Sequence, residues 1–96
     1  MKSKMFRITM RAGGISLDVG AAAARDIENE FREHRPWHKQ VTCSFSNGIL
    51  TLIAINDFDR DGLALSDEFS DCLSAYIPLE KTSGSAALEI VEVEVI

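Results

Sequence analysis

Asp57, Asp59 and Asp61 stand at alternate positions, Gly62 follows directly, and Glu68 closes the run six residues later. Carboxylates at this spacing, with the Leu63 carbonyl between them, offer a set of hard oxygen donors, and a glycine in their midst permits a sharp turn. Hard-cation binding is the chemistry such a loop suits. Two other constellations are weaker. His34 and His38 are four apart and, with Cys43 and Cys72, contain zinc-type donors, but Pro36 between the histidines keeps them off one helical face. Both cysteines lie in apolar patterns, where a thiol packs rather than reacts, so neither a zinc set nor a Cys-His nucleophile pair is expected. No glycine-rich phosphate loop, nucleophile elbow or pair of catalytic carboxylates is present, and the chain reads as non-enzymatic.

The acidic run resembles the EF-hand calcium loop. Asp57, Asp59 and Asp61 match that family's alternating carboxylates, Gly62 its turn glycine, Leu63 its carbonyl ligand and Glu68 its closing bidentate acid. Phe69, Cys72, Leu73 and Tyr76 follow in the manner of its exit helix. The resemblance covers Asp57 to Tyr76 alone and implies Ca²⁺ as the one candidate cofactor; otherwise none is expected. The chain departs from the family in three ways. A strand takes the place of the entering helix, Leu65 stands where a polar residue is common, and no second loop exists to pair with.

The elements that position this loop follow from periodicity. Val41, Cys43 and Phe45 alternate with polar residues, and Asn47-Gly48 then signals a two-residue hairpin. Its register sets Phe45 against Leu50, Cys43 against Leu52 and Val41 against Ala54 on one apolar face. The other face joins Thr42, Ser44 and Thr51 to Ile49, Ile53 and Ile55. After the loop, Leu65, Phe69, Cys72, Leu73, Tyr76 and Ile77 form a helical stripe, with Ser66 the expected N-cap and Pro78 the stop. Upstream, Ala23, Ala24, Ile27 and Phe31 mark a helix from Gly20 to His34, capped by Asp18 or Gly20 and ended by Pro36. Trp37 should then staple its exit to the core.

Phe6, Ile8 and Met10 alternate with Arg7, Thr9 and Arg11, a half-buried strand with one basic face. Gly13-Gly14 suggests a hairpin returning through Val19. Lys81 to Ser85 reads as a polar turn. In the last strand, Leu88 and Ile90 lie on one phase and Val91, Val93 and Val95 on the other, a slip that calls for a β-bulge. The expected fold is a single α+β domain over residues 1–96. Its antiparallel sheet has four or five strands and carries two helices on one face. The order is ββαββαβ, or ferredoxin-like βαββαβ if Gly13-Gly14 does not turn.

Composition and charge bound the partners. Of 96 residues, 46% are hydrophobic and 26% charged, which is globular composition with no run long enough to span a membrane. Met1-Lys2-Ser3-Lys4 leads into the alternating strand, not into a signal-type apolar segment, so the cytoplasm is the expected location. Residues 1–43 carry eight Lys or Arg against five Asp or Glu; residues 44–96 carry two against ten. That acidic second half repels nucleic acid and draws a basic protein. The expected function is a small interaction module, a regulator or immunity-type inhibitor. Arg7, Arg11, Ile49, Ile53 and Ile55 form the candidate partner surface. Joined there by Leu88 and Ile90 or by the valines of the last strand, the isoleucines would form a patch that a homodimer covers.

Overall fold

A computed structural model describes residues 4–96. The elements run β1 Phe6–Ile15, α1 Gly20–His34, β2 Gln40–Ser46, β3 Ile49–Asn56, α2 Leu63–Tyr76, a 3₁₀ turn Leu79–Lys81 and β4 Thr82–Val95. The strands form one antiparallel sheet in the order β2-β3-β1-β4. This is the four-strand, ferredoxin-like alternative, βαββαβ. No helix among the described residues is long and apolar enough to cross a membrane.

The Gly13-Gly14 hairpin is replaced by a single strand. β1 is central, with ladders to β3 on one side and β4 on the other, so running straight on satisfies backbone groups on both edges at once. Gly14 adopts φ +74° at a register shift against β4, a bulge that turns Ile15 inward where strict alternation would expose it. Ile15 then donates its N–H to the Gly48 carbonyl at 3.0 Å. The expected slip in the last strand is present: Thr9 pairs with Glu92 but Met10 with Ile90, leaving Val91 as the extra residue. This lets Leu88, Ile90 and Val93 all pack toward the core. β4 begins at Thr82, earlier than the expected polar turn over Lys81 to Ser85 allowed.

The β2–β3 register is the one read from Asn47-Gly48, with Asn47 at φ 50° and Gly48 at φ 78°. Ile8, Met10, Ala12, Leu50, Leu52 and Ala54 on the two central strands are wholly buried under Ile27 and Phe31 of α1 and Leu65 and Phe69 of α2. α1 starts at Gly20 as expected, but the caps of both helices differ from expectation. α1 is preceded by Val19 with no side-chain cap; Asp18 instead accepts from Lys81 Nζ at 2.7 Å and from the Ser16 hydroxyl. α2 begins a turn before Ser66, at Leu63, and its cap comes from the acidic loop.

Candidate functional site

Asn56 ends β3 fully buried, and its Oδ1 accepts the N–H groups of Phe58 at 3.2 Å and Asp59 at 2.9 Å. This Asx turn folds the chain back so that Asp59, only 4% exposed, lies beneath the start of α2. There its two carboxylate oxygens accept the N–H groups of Ala64 at 3.2 Å and Leu65 at 2.9 Å. Those donors have no intrahelical partner, and a carboxylate suits the positive end of the helix. Asp61 Oδ1 accepts the Leu63 N–H at 3.2 Å. Gly62 sits at φ +79° with its α-carbon against Ile8 and Ile90, where a Cβ would come within 3.3 Å.

Asp57 is exposed, and Glu68 points away from the loop to the α1–β2 connection. Asp59, Asp61 and Glu68 thus have other partners, and Asp57, Asp59, Asp61 and Glu68 are not gathered as a metal-ligand set. Among the described residues no three Asp, Glu, His or Cys side chains gather as a metal-ligand set. The same holds for His34, His38, Cys43 and Cys72. If capping is what Asp59 does, Asp59→Ala should cost about 1–2 kcal/mol. Thermal unfolding should show the same loss in calcium as in chelator.

Glu68 is the hub of a second cluster. Its Oε1 lies 2.9 Å from His38 Nε2; its Oε2 accepts from Trp37 Nε1 at 3.0 Å and Arg35 Nη1 at 3.3 Å. On the far side of the imidazole, Asn56 Nδ2 is 3.2 Å from His38 Nδ1. Because Asn56 Oδ1 already accepts two backbone N–H groups, its amide nitrogen faces the ring as a donor. His38 Nδ1 must then accept, and Nε2–H donates to Glu68. Both ring nitrogens are committed. Trp37, expected as a core staple, is instead 45% exposed and held by this hydrogen bond. Phe58, 48% exposed, also lies beside the imidazole, with ring centroids 6.0 Å apart. The cluster ties the exit of α1 to α2 and to the end of β3.

The surroundings of both thiols favour the protonated form. Burial, with the Glu28 charge adding to it, pushes the Cys43 thiol up to about 12. Burial raises Cys72 too, with the Arg35 cation partly opposing. A cavity of about 200 Å³ between α2 and the far end of the sheet is lined mainly by Ile15, Leu73, Ile77 and Leu88. None of the described residues lining it is titratable.

No helix or strand of the described residues covers the sheet face away from the helices, and its cross-strand rows are set by the ladders. One row runs Gln40, Ile55, Arg7, Glu94; the next Thr42, Ile53, Thr9, Glu92; the third Ser44, Thr51, Arg11, Glu89. The face is thus striped by strand: hydroxyl and amide on β2, aliphatic on β3, basic on β1, acidic on β4. Arg7 and Glu94 form an ion pair at 3.0 Å, while Glu92 lies across from Thr9, with no cation opposite. Ile49, Ile53 and Ile55 share this face as expected, but Leu88, Ile90 and Val93 of the last strand pack against the core and do not join them. The Val91 bulge turns Leu88, Ile90 and Val93 to the core and leaves the glutamates outward.

No family model, no curated protein and no solved structure matches this chain.

Proposed function

We propose that this chain is a non-enzymatic protein-interaction module that meets a basic protein partner with the bare face of its sheet and the acidic β4 stripe bordering it. The observation that carries this reading is the stripe pattern itself. Three isoleucines on β3 supply apolar area beside polar rows, and Glu92, with no cation directly across from it on β1, gives one margin a negative charge. An apolar centre with a charged border is the anatomy of a docking surface, and the border charges set partner choice and encounter rate more than affinity. The other groups able to do chemistry have structural uses: Asp59 caps a helix, His38 and Glu68 bond one another, and the thiols are held protonated.

The test is comparative capture from an extract of the source cells, using the unmodified chain beside Glu92→Arg and Ile53→Thr. A basic protein retained by the first and lost or strongly reduced with both variants is the expected result. An identical captured set for all three would refute the assignment of this face.

A further inference from the structure

We infer that a second copy of this chain seats on the β3 and β1 stripes of the open face, related by a twofold axis lying along β3. This rests on the reading of that face as a docking surface and names one of its occupants. Two other modes of self-association are guarded. In the β2–β3 ladder, residues 42 and 44 pair inward, so the Cys43 N–H points off the sheet edge. Glu28 of α1 reaches over and accepts it at 2.9 Å, which closes that edge to a strand. At the β4 edge, an antiparallel partner of the same sequence would set the row of Glu89, Glu92 and Glu94 beside its own copy, a like-charge opposition that destabilises strand pairing.

The face itself is self-complementary. Rotation by half a turn about β3 lays aliphatic stripe on aliphatic stripe and exchanges β1 with β2 across the interface. Because the ladders hold the strands in register, Arg7 of one copy then falls opposite Gln40 of the other, Thr9 opposite Thr42 and Arg11 opposite Ser44. Guanidinium donors meet amide and hydroxyl oxygens, and no charge meets its like. Rotation about an axis across the strands would instead stack Glu on Glu and Arg on Arg. With the axis on β3, the β4 stripe overhangs the contact on both flanks and stays open to a basic partner. Three strands of overlap fall short of the roughly 800 Å² per partner of a standard interface, so the dimer is a weak one, of micromolar affinity or poorer.

Sedimentation equilibrium from micromolar to millimolar protein tests this directly. The unmodified chain should rise from monomer toward dimer mass; Ile53→Glu and Ile53→Thr should stay monomeric with an unchanged circular dichroism spectrum, and Glu92→Arg should dimerise as before. A short bis-maleimide should link Ile53→Cys between copies well above the unmodified background, and link Leu79→Cys, exposed away from this face, no better than that background. Monomer mass at millimolar concentration overturns the second copy, while leaving the basic-partner reading intact if Glu92→Arg still loses its captured protein. Dimer mass retained by both Ile53 variants also overturns it, by placing the contact elsewhere. Unfolding of both Ile53 variants would mean that the residue is internal, and then both readings fall.

Discussion

Phe69→Ala should destabilise the protein by about 3–5 kcal/mol, the cost of removing a fully buried aromatic and leaving a cavity where it packed. Phe69 sits at the centre of α2's inward stripe, between Leu65 and Cys72, with no solvent exposure. It belongs to the same core cluster as the inward residues of β1 and β3, strands held by ladders on both sides, so the sheet does not readily close on the space. The loss is therefore expected near the upper part of that range. For a domain whose total stability is of the order of 5–15 kcal/mol, this is a large share. Urea unfolding should show a lowered midpoint with an unchanged slope. Phe69→Leu should cost much less, because it retains most of the volume. A Phe69→Ala midpoint within experimental error of the unmodified chain would mean that α2 presents another face to the sheet.

Asn56→Leu is the second large effect, with an expected cost of about 2–4 kcal/mol. The substitution keeps the volume of the side chain but strands three groups: the N–H of Phe58, the N–H of Asp59 and Nδ1 of His38. Each buried polar group left without a partner costs about 1–3 kcal/mol, and partial rehydration of the loop keeps the sum below three full penalties. Asn56→Asp is the informative control. Its carboxylate can still accept both backbone N–H groups, but it offers His38 Nδ1 an acceptor in place of a donor. The aspartate variant should therefore preserve the turn, be the milder of the two, and move the imidazole proton. Long-range ¹⁵N–¹H spectra of the unmodified chain should show the Nε2–H form of His38, and Asn56→Asp should shift that pattern. Equal losses for the leucine and aspartate variants would mean that the two turn bonds, which aspartate keeps, add nothing to the His38 contact that both variants lose.

The two substitutions probe different layers of the fold, and the layers differ in how far they can be read from sequence. Local rules were sufficient wherever one residue type dictates backbone geometry or where a period persists. Asn47-Gly48 set the β2–β3 register pair by pair, because a two-residue turn leaves the ladder no freedom to slip. Pro36 ended α1 at His34 and Pro78 ended α2 near Tyr76, because the residue before proline is forced out of helical geometry. The opposed phases of Leu88 and Val93 announced the bulge at Val91. The stripe through Leu65, Phe69 and Cys72 gave the inward face of α2.

Tertiary structure decided what depends on neighbours distant in sequence. Gly13-Gly14 permits a hairpin and a bulge equally; strands on both sides of β1 favoured the bulge, since the return strand of a hairpin would have taken the edge that one of those two ladders uses. The spacing of Asp57, Asp59, Asp61 and Glu68 states only that carboxylates are available. Whether they converge depends on Asn56, which turns the chain so that Asp59 faces helix N–H groups. It depends equally on His38, Trp37 and Arg35, which draw Glu68 to the opposite side of α2. An asparagine closing an apolar strand just before an acidic loop was the available signal for that turn; the pairing of His38 with Glu68, 30 residues apart, had no local signal at all. The open face divides in the same way. Alternation placed the isoleucines and arginines on it, but only the strand order β2-β3-β1-β4 set the aliphatic, basic and acidic rows side by side. Period-two patterning assigns each residue a side of its own strand, whereas the neighbour across the sheet is chosen by helix packing and loop closure over the whole chain.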